Sequence, residues 1–498
     1  MDKGIKNFKS ILLILAYLLF ILGLILLIPL LIALAFKENK IILISYLVPG
    51  LTSLLIGTII SYIFRNNTIQ LNLANSMITV TLAWAISALI GSIPLIISIN
   101  MSFIDAYFEA ISGFTTTGIT LITGLESLPL SLIIWRSLMQ WLGGLGILTF
   151  FLLITFRTEA NLWQLFVAES HKISSSRPVP NLYKTIIIFW GIYLLFTIIE
   201  IILLVLFKMP VFDAITHSLT SISTGGFSNY DSSIGHYAEI NHPYYRQIEY
   251  IIIVFMILGG INFLVHFKFL SGEIKEYIKN TEIKYFWKII TGFTLIILLA
   301  QFIDNKSILL KFEEHFRTVL FQVVSIMTTT GFGTENATSP FFPAIARQLF
   351  LILMLIGGCV GSTSGGFKVV RIAILNRLFI REIKKIFLPR HAVIPVTMDK
   401  HIIDNEEIYR VAALFFIWIF LIVIGSGITT IFSDLDAFQA FSGMFSALGN
   451  IGPFYFSVEK MASLSPIIKI NYIFAMLAGR LEIIPLIALF FPGKRRFF

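Results

Sequence analysis

Ten stretches of this chain stay apolar for roughly 20 residues, the length of helix that crosses about 30 Å of hydrocarbon. They fall at about 10–36, 41–64, 73–98, 131–156, 185–207, 249–267, 286–303, 344–367, 409–432 and 467–491. In lipid every backbone polar group must be satisfied internally, and a helix does this within one segment. Of the 498 residues, 57% are hydrophobic and 13% charged, too few polar groups to cover the surface of a water-soluble domain. The sequence therefore predicts an all-α, multi-pass membrane protein. The first run is too long for a signal-peptide core and lacks a small-residue cleavage site after it. Cys359 is the single cysteine, which excludes a disulfide within the chain.

Four shorter apolar stretches, 102–113, 212–223, 315–328 and 434–446, are about a dozen residues each, too short to span. Each runs into a segment that ends in glycine and is mostly rich in Thr or Ser. Aligned on Gly118, Gly226, Gly331 and Gly449, these glycines lie 108, 105 and 118 residues apart. An Asp-Ala pair stands thirteen residues before the glycine in three of the four, and Thr318-Val319 replaces it in the third. A period of about a hundred residues marks four repeated units. The units expected are 67–160, 180–275, 284–390 and 405–498, each a helix, a re-entrant half-helix and a second helix. Residues 1–66 supply a helix pair outside them. Ser102 with Asp105, and Ser433 with Asp436, have the spacing of a capping box at the start of such a half-helix.

With the N-terminus inside, 25 of the 37 Lys and Arg fall on one side, which the positive-inside rule makes cytoplasmic, together with both termini. Asp105, Glu109, Asp213, Glu313, Glu314, Glu335, Asp434 and Asp436 go to the other side. They are either ordinary loop charges or a vestibule whose negative potential concentrates cations.

Each half-helix enters from the acidic side, so its C-terminus delivers the negative end of the helix dipole to mid-membrane. Non-helical backbone at that depth must be buried in protein or line a water-filled path. Glycine lets such a stretch turn its carbonyls toward an axis. Four stretches around one axis then make rings of oxygens that replace the hydration shell of a monovalent cation. Thr329-Thr330-Gly331-Phe332-Gly333 is spaced like the TVGYG filter of potassium channels, and the other copies keep the central glycine. The candidate ion-binding residues are Thr116, Thr117 and Gly118; Thr224, Gly225 and Gly226; Thr329, Thr330, Gly331 and Phe332; and Leu448, Gly449 and Asn450.

A Gly-Gly pair recurs in the second helix of the repeats, at Gly143-Gly144, Gly259-Gly260 and Gly357-Gly358, and becomes Gly479-Arg480 in the fourth. A position that is Gly in three repeats faces a crowded centre, and Arg480 there puts positive charge beneath the filter. The alternative is an Arg that snorkels or pairs with Glu482. Residues 357–366 hold five glycines and three hydroxyl side chains, which cannot sustain a straight helix when each glycine costs about 1 kcal/mol relative to Ala. The candidate gate is Gly358, Gly361, Ser362, Thr363, Gly365 and Gly366, together with Arg480. The alternative is a glycine-rich packing face. His217, in the second half-helix, reads as a packing residue.

At these residues the chain resembles the superfamily of Trk, Ktr and HKT potassium transporters, and within it the TrkH branch. The resemblance rests on the four filter segments and on GGCVGSTSGGFKVVR (357–371), SALGNIGP (446–453) and AMLAGRLEIIP (475–485). It covers nearly the whole chain, and ten spans rather than eight favour that branch. It implies a pseudo-fourfold pore in a bacterial cytoplasmic membrane, a homodimer, surrounding lipid, and a cytosolic nucleotide-binding regulatory ring subunit (TrkA-like). Potassium is the ion implied, bound at the filter residues, with no organic cofactor and no nucleic acid. It also supports an intramembrane gate at 358–366 and a functional Arg480. Ile119 and Asn450 depart from the aromatic of the channel motif. Coupling of the flux to protons or sodium stays open, as a symporter of the same superfamily. An alternating-access carrier would show inverted repeats and midplane ionisable groups, and these repeats share one orientation. A membrane-embedded enzyme has no visible carrier of chemistry.

Overall fold

The computed structural model describes residues 2–67, 69, 71–146, 149, 182–304, 310–389, 394–399, 401–483 and 485–486. Several of the 25 basic residues counted on the cytoplasmic side, among them Arg157, Arg390 and Lys494-Arg495-Arg496, have positions outside the described residues. Among the described residues six helices are long and apolar enough to span, and a bent pair, Tyr245–Gly260 with Phe263–Leu270, would make a seventh. The six are Asn7–Ala35, Lys40–Ile63, Ala74–Ile99, Tyr183–Leu206, Thr281–Asp304 and Asn405–Ile431. Outward faces such as Ile44, Leu51, Leu55 and Ile59 are exposed, a contiguous apolar patch that lipid rather than water must cover.

The first two helices form the pair outside the repeats. They approach closely because Gly57 sits against Ala16, where a Cβ would lie 2.7 Å from its carbonyl oxygen. The loop between them docks on the first repeat through Glu38, which accepts from the Ser131 amide at 3.0 Å. Each of the other four long helices opens a repeat and is followed by a half-helix: Phe103–Phe114, Val211–Ile222, Phe312–Met327 and Ala437–Gly449. The first half-helix is capped by Ser102, which accepts from the Asp105 amide as its spacing suggests. The fourth is not capped by Ser433. Asp436 is itself the N-cap, with Gln439 completing the capping box, while Ser433 donates to the Thr429 carbonyl.

The second helices, Leu130–Gly144, Tyr245–Gly260, Ala344–Ile356 and Pro466–Arg480, all end at the recurring glycine pair. The expected break in the third repeat is thus one of four. In the second repeat the chain bends by 102° between Gly260 and Phe263. The cause is close packing. A Cβ on Gly143, Gly259 or Gly479 would lie 1.8, 2.8 or 2.0 Å from the carbonyl oxygen of Phe114, Ile222 or Leu448, near the last turn of a half-helix. The second helices therefore end at the depth where the half-helices deliver the Thr-Gly segments.

Candidate functional site

Beyond each half-helix the backbone repeats one path. A left-handed residue comes first, at Thr116, Thr224, Thr329 and Asn450, with φ of 53°, 52°, 57° and 54°. A left-handed glycine follows two residues on, at Gly118, Gly226, Gly331 and Gly452, with φ of 78°, 76°, 85° and 112°. Between them the amides of Thr117, Gly225, Thr330 and Ile451 donate back to Ser112, Thr220, Ser325 and Ser446 at 2.8–3.0 Å. β-branched threonine is strained in this conformation, at an order of 1–3 kcal/mol, and such strain persists only where the surroundings enforce it.

This path corrects the register expected for the fourth segment by three residues. Gly449 is the last residue of its half-helix, Leu448 precedes it there, and Gly452 takes the place matching Gly118, Gly226 and Gly331. The Asp436-Ala437 pair that suggested the alignment is the helix cap. Gln439-Ala440 stands where Asp105-Ala106 and Asp213-Ala214 do. Asn450, equivalent to Thr116, tolerates the left-handed region better than threonine. Its side-chain Nδ2 donates to Thr117 Oγ1 at 2.8 Å and to the Met476 carbonyl at 2.9 Å.

The four segments close a ring. A Cβ on Gly118 would lie 2.3 Å from the Gly225 carbonyl oxygen, on Gly226 1.9 Å from that of Thr330, on Gly331 1.9 Å from that of Ile451, and on Gly452 3.1 Å from that of Thr117. Each repeat thus meets the next, and the fourth meets the first. Phe332 departs from a carbonyl-lined channel motif, since its carbonyl accepts from Ser325 Oγ at 2.6 Å and its ring is buried near His217. His217 is a satisfied packing residue, bonded to the Asp213 carbonyl at 2.9 Å and to Ser228 Oγ at 3.0 Å.

Residues 357–368 cross directly beneath this ring and touch three repeats. Thr363 Oγ1 donates to the Ile222 and Gly259 carbonyls, both at 3.0 Å. The Gly365 amide donates to Thr329 Oγ1 at 2.7 Å, and a Cβ on Gly365 would meet the Gly449 carbonyl at 2.5 Å. Gly361 and Gly366 are left-handed, at φ of 72° and 80°. Ser362 Oγ caps the Cys359 carbonyl at 2.6 Å, and Gly358 leaves room for Ser364, whose Oγ would lie 2.5 Å from its Cβ. The segment is therefore a built loop and not a packing face of a helix.

Arg480 carries the contact on to the first repeat. It donates to the Thr363 carbonyl at 2.8 Å, to Thr116 Oγ1 at 3.2 Å, and to the Gly143 and Gly144 carbonyls at 2.5 and 2.6 Å. Glu482 is salt-bridged to Arg371. Sequence reasoning passed over Lys368, which is buried and donates from Nζ to the Ser364 carbonyl. Lys368, Arg480 and Glu482 line a cavity of about 100 Å³ together with Gly144, Gly146 and Ser362.

Glu313, Glu335, Asp434 and Asp436 are exposed, whereas other acidic residues considered above are turned inward or paired. Glu109 is fully buried and paired to Arg136 at 2.9 Å, Asp105 is paired to Lys469 at 2.5 Å, and Glu313 to Arg317. Asp213 is enclosed by Asn229, Tyr230 and Tyr237, which donate to its carboxylate at 2.7, 2.6 and 3.0 Å. These groups brace the half-helices and their exit segments. Arg136 also donates to the Ser228 carbonyl at 3.3 Å, tying the first repeat to the second.

The sequence model of the family described as TrkH, cation transport protein, matches residues 47–495. The chain is 34% identical over 488 residues to an uncharacterized cation transporter of Methanocaldococcus jannaschii, covering 97% of this chain and 96% of that one. It is 34% identical over 447 residues to the Trk system potassium uptake protein TrkH of Salmonella typhimurium, covering 88% and 90% of the two. The crystal structure of the potassium transporter TrkH from Vibrio parahaemolyticus superposes with a TM-score of 0.84 at 31% identity, over 97% of this chain and 99% of that one. With the fourfold ring and the interrupted helices this settles the membership: the chain belongs to the TrkH family of cation transport proteins.

Proposed function

We propose that this chain takes up potassium across a bacterial cytoplasmic membrane, through a filter made by its four glycine segments and a gate made by residues 358–366 with Arg480. The observation that carries the reading is the cyclic contact of Gly118, Gly226, Gly331 and Gly452 with the carbonyls of Gly225, Thr330, Ile451 and Thr117. Four carbonyls at one level around an axis can take over the hydration shell of a monovalent cation. The half-helix C-termini add negative potential where the ion loses its water. The potassium-uptake names of the relatives support the choice of ion.

Beneath the filter, the loop obstructs the path and Arg480 and Lys368 oppose a cation. A unit charge at 4 Å from another is worth about 4 kcal/mol at an effective dielectric of 20. Opening then consists of withdrawing the loop, which moves the Thr363 carbonyl and with it a partner of Arg480. Both termini and the basic loops are cytoplasmic in this reading, facing anionic lipid headgroups and a nucleotide-binding ring subunit, with two copies of the chain forming a homodimer. Domain limits are those read from the repeats, with the fourth filter glycine at Gly452.

The test is cation flux into liposomes holding purified protein. Rubidium uptake resistant to excess sodium, and blocked by potassium, is the expected result. Uptake that does not discriminate potassium from sodium would overturn the filter. Accumulation against the potassium gradient, driven only by an imposed proton or sodium gradient, would replace a passive pore with coupled symport.

A further inference from the structure

The four filter segments share a backbone path but are braced from behind in different ways. In the first and third, the threonines on either side of the left-handed residue bond each other. Thr115 and Thr117 hydroxyls lie 2.7 Å apart, and Thr328 and Thr330 hydroxyls 2.8 Å. In the fourth, Gly449 and Ile451 occupy these positions, and a Cβ on Gly449 would lie 2.6 Å from Ile451 Cδ1. In the second, the positions are Ser223 and Gly225, so no side chain follows the left-handed Thr224. The Ser223 hydroxyl donates instead to the Thr220 carbonyl at 3.2 Å.

The space is filled from another repeat. Gln140, fully buried on the second helix of the first repeat, sits where a side chain on Gly225 would be: a Cβ there would lie 2.4 Å from Gln140 Cδ. Its Nε2 donates to the Gly225 carbonyl at 2.6 Å, and its Oε1 accepts from the Phe227 amide at 3.0 Å. One primary amide thus holds two successive peptide planes, those on either side of Gly226. Gly225 needs such a strap more than its counterparts do, because without a Cβ its peptide planes rotate freely. Its carbonyl is also one of the four in the ring.

We infer that Gln140 is a specificity-determining positioning residue. It stands in for the threonine that the second filter segment lacks and holds the Gly225 carbonyl level with those of Thr117, Thr330 and Ile451. The inference rests on the filter reading above. Leucine at 140 has nearly the same volume but no polar group, and alanine removes the strap altogether. A threonine at 225 clashes with Gln140 but fits once Gln140 is shortened, and its hydroxyl then has Ser223 beside it as Thr117 has Thr115.

The experiment is rubidium and sodium uptake by proteoliposomes of the full chain, with thermal unfolding of each purified variant as a folding control. The variants are Gln140→Leu, Gln140→Ala, Gly225→Thr, the double variant Gln140→Ala with Gly225→Thr, and Gly118→Ser. Gln140→Leu and Gln140→Ala are expected to lower discrimination against sodium about tenfold, as the loss of two buried hydrogen bonds allows. Gly225→Thr alone is expected to do the same, and the double variant to recover most of the loss. Rescue of ion preference is not something a purely structural residue would show. Parental discrimination in folded Gln140→Leu, or a double variant no better than Gln140→Ala, would overturn the inference. Should Gln140→Leu fail to fold, the comparison of the double variant with Gly225→Thr decides. Altered preference in Gly118→Ser alone confines the failure to Gln140, whereas unchanged preference in every variant would discard the filter as well.

Discussion

Adding a methyl group at each glycine of the proposed filter tests the ring directly, because the four sites differ in how much room they leave. Every glycine in the series is left-handed, so alanine costs about 1–2 kcal/mol of backbone energy at each. Crowding separates them. Heavy atoms in contact prefer about 3.5 Å, so alanine must push its facing carbonyl roughly 1.5 Å at Gly226 and Gly331, about 1 Å at Gly118, and under about 0.5 Å at Gly452. A carbonyl displaced by more than 1 Å no longer coordinates the ion at the level of its three partners. Sodium discrimination, measured as rubidium uptake in liposomes with rising external sodium and normalised to folded protein, should fall in that order. The drop should reach about a hundredfold at Gly226→Ala and Gly331→Ala, some 2.7 kcal/mol, and no more than about tenfold at Gly452→Ala. Equal effects at all four positions, or Gly452→Ala the most damaging, would refute the ring geometry. Gly118→Ser belongs to the same series and should raise relative sodium permeability.

Three further outcomes follow from the proposed gate and the proposed cytoplasmic face. Arg480→Gln should raise cation flux severalfold, because it removes a permanent charge from the path and loosens bonds to Thr363, Gly143 and Gly144. Flux at or below the parent's in folded protein would show that Arg480 only knits the repeats together. Deleting two or three residues within 358–366 should raise basal flux and weaken its dependence on a regulatory partner; a folded deletion that conducts like the parent removes the loop from gating. Charge reversal at Lys384 and Lys385, in the last turn of the helix Val369–Ile386, should weaken capture of a ring subunit by about 1 kcal/mol per residue while leaving basal flux intact, and salt-insensitive, undiminished pull-down would exclude that surface.

Much of the site was legible because it repeats. The Thr-Gly segments ending at Gly118, Gly226 and Gly331 announce themselves by spacing, and the glycine pair in the second helices predicts the crowding found where Gly143, Gly259 and Gly479 press on half-helix carbonyls. The register of the fourth segment was not legible. Asp436-Ala437 imitates the Asp-Ala of the first two half-helices, and only the capping bond from Asp436 to Gln439, with the left-handed Asn450 and Gly452, reveals the offset of three residues.

Hydrophobic run length, basic-residue bias and the hundred-residue period by themselves determined a helical membrane protein with four like-oriented units, since lipid admits few other ways to satisfy a backbone. The bracing was decided by tertiary structure. Glu109 meets Arg136 from 27 residues away, Gln140 reaches Gly225 across 85, and Arg480 reaches Thr116 across 364. Such contacts leave no periodic trace, because each depends on where separate helices happen to bring two side chains together. Glu109 and Asp213, two of the acids considered for a vestibule, are buried for the same reason. A charge in a connecting segment looks solvated until the fold supplies the arginine or lysine that allows it to leave water.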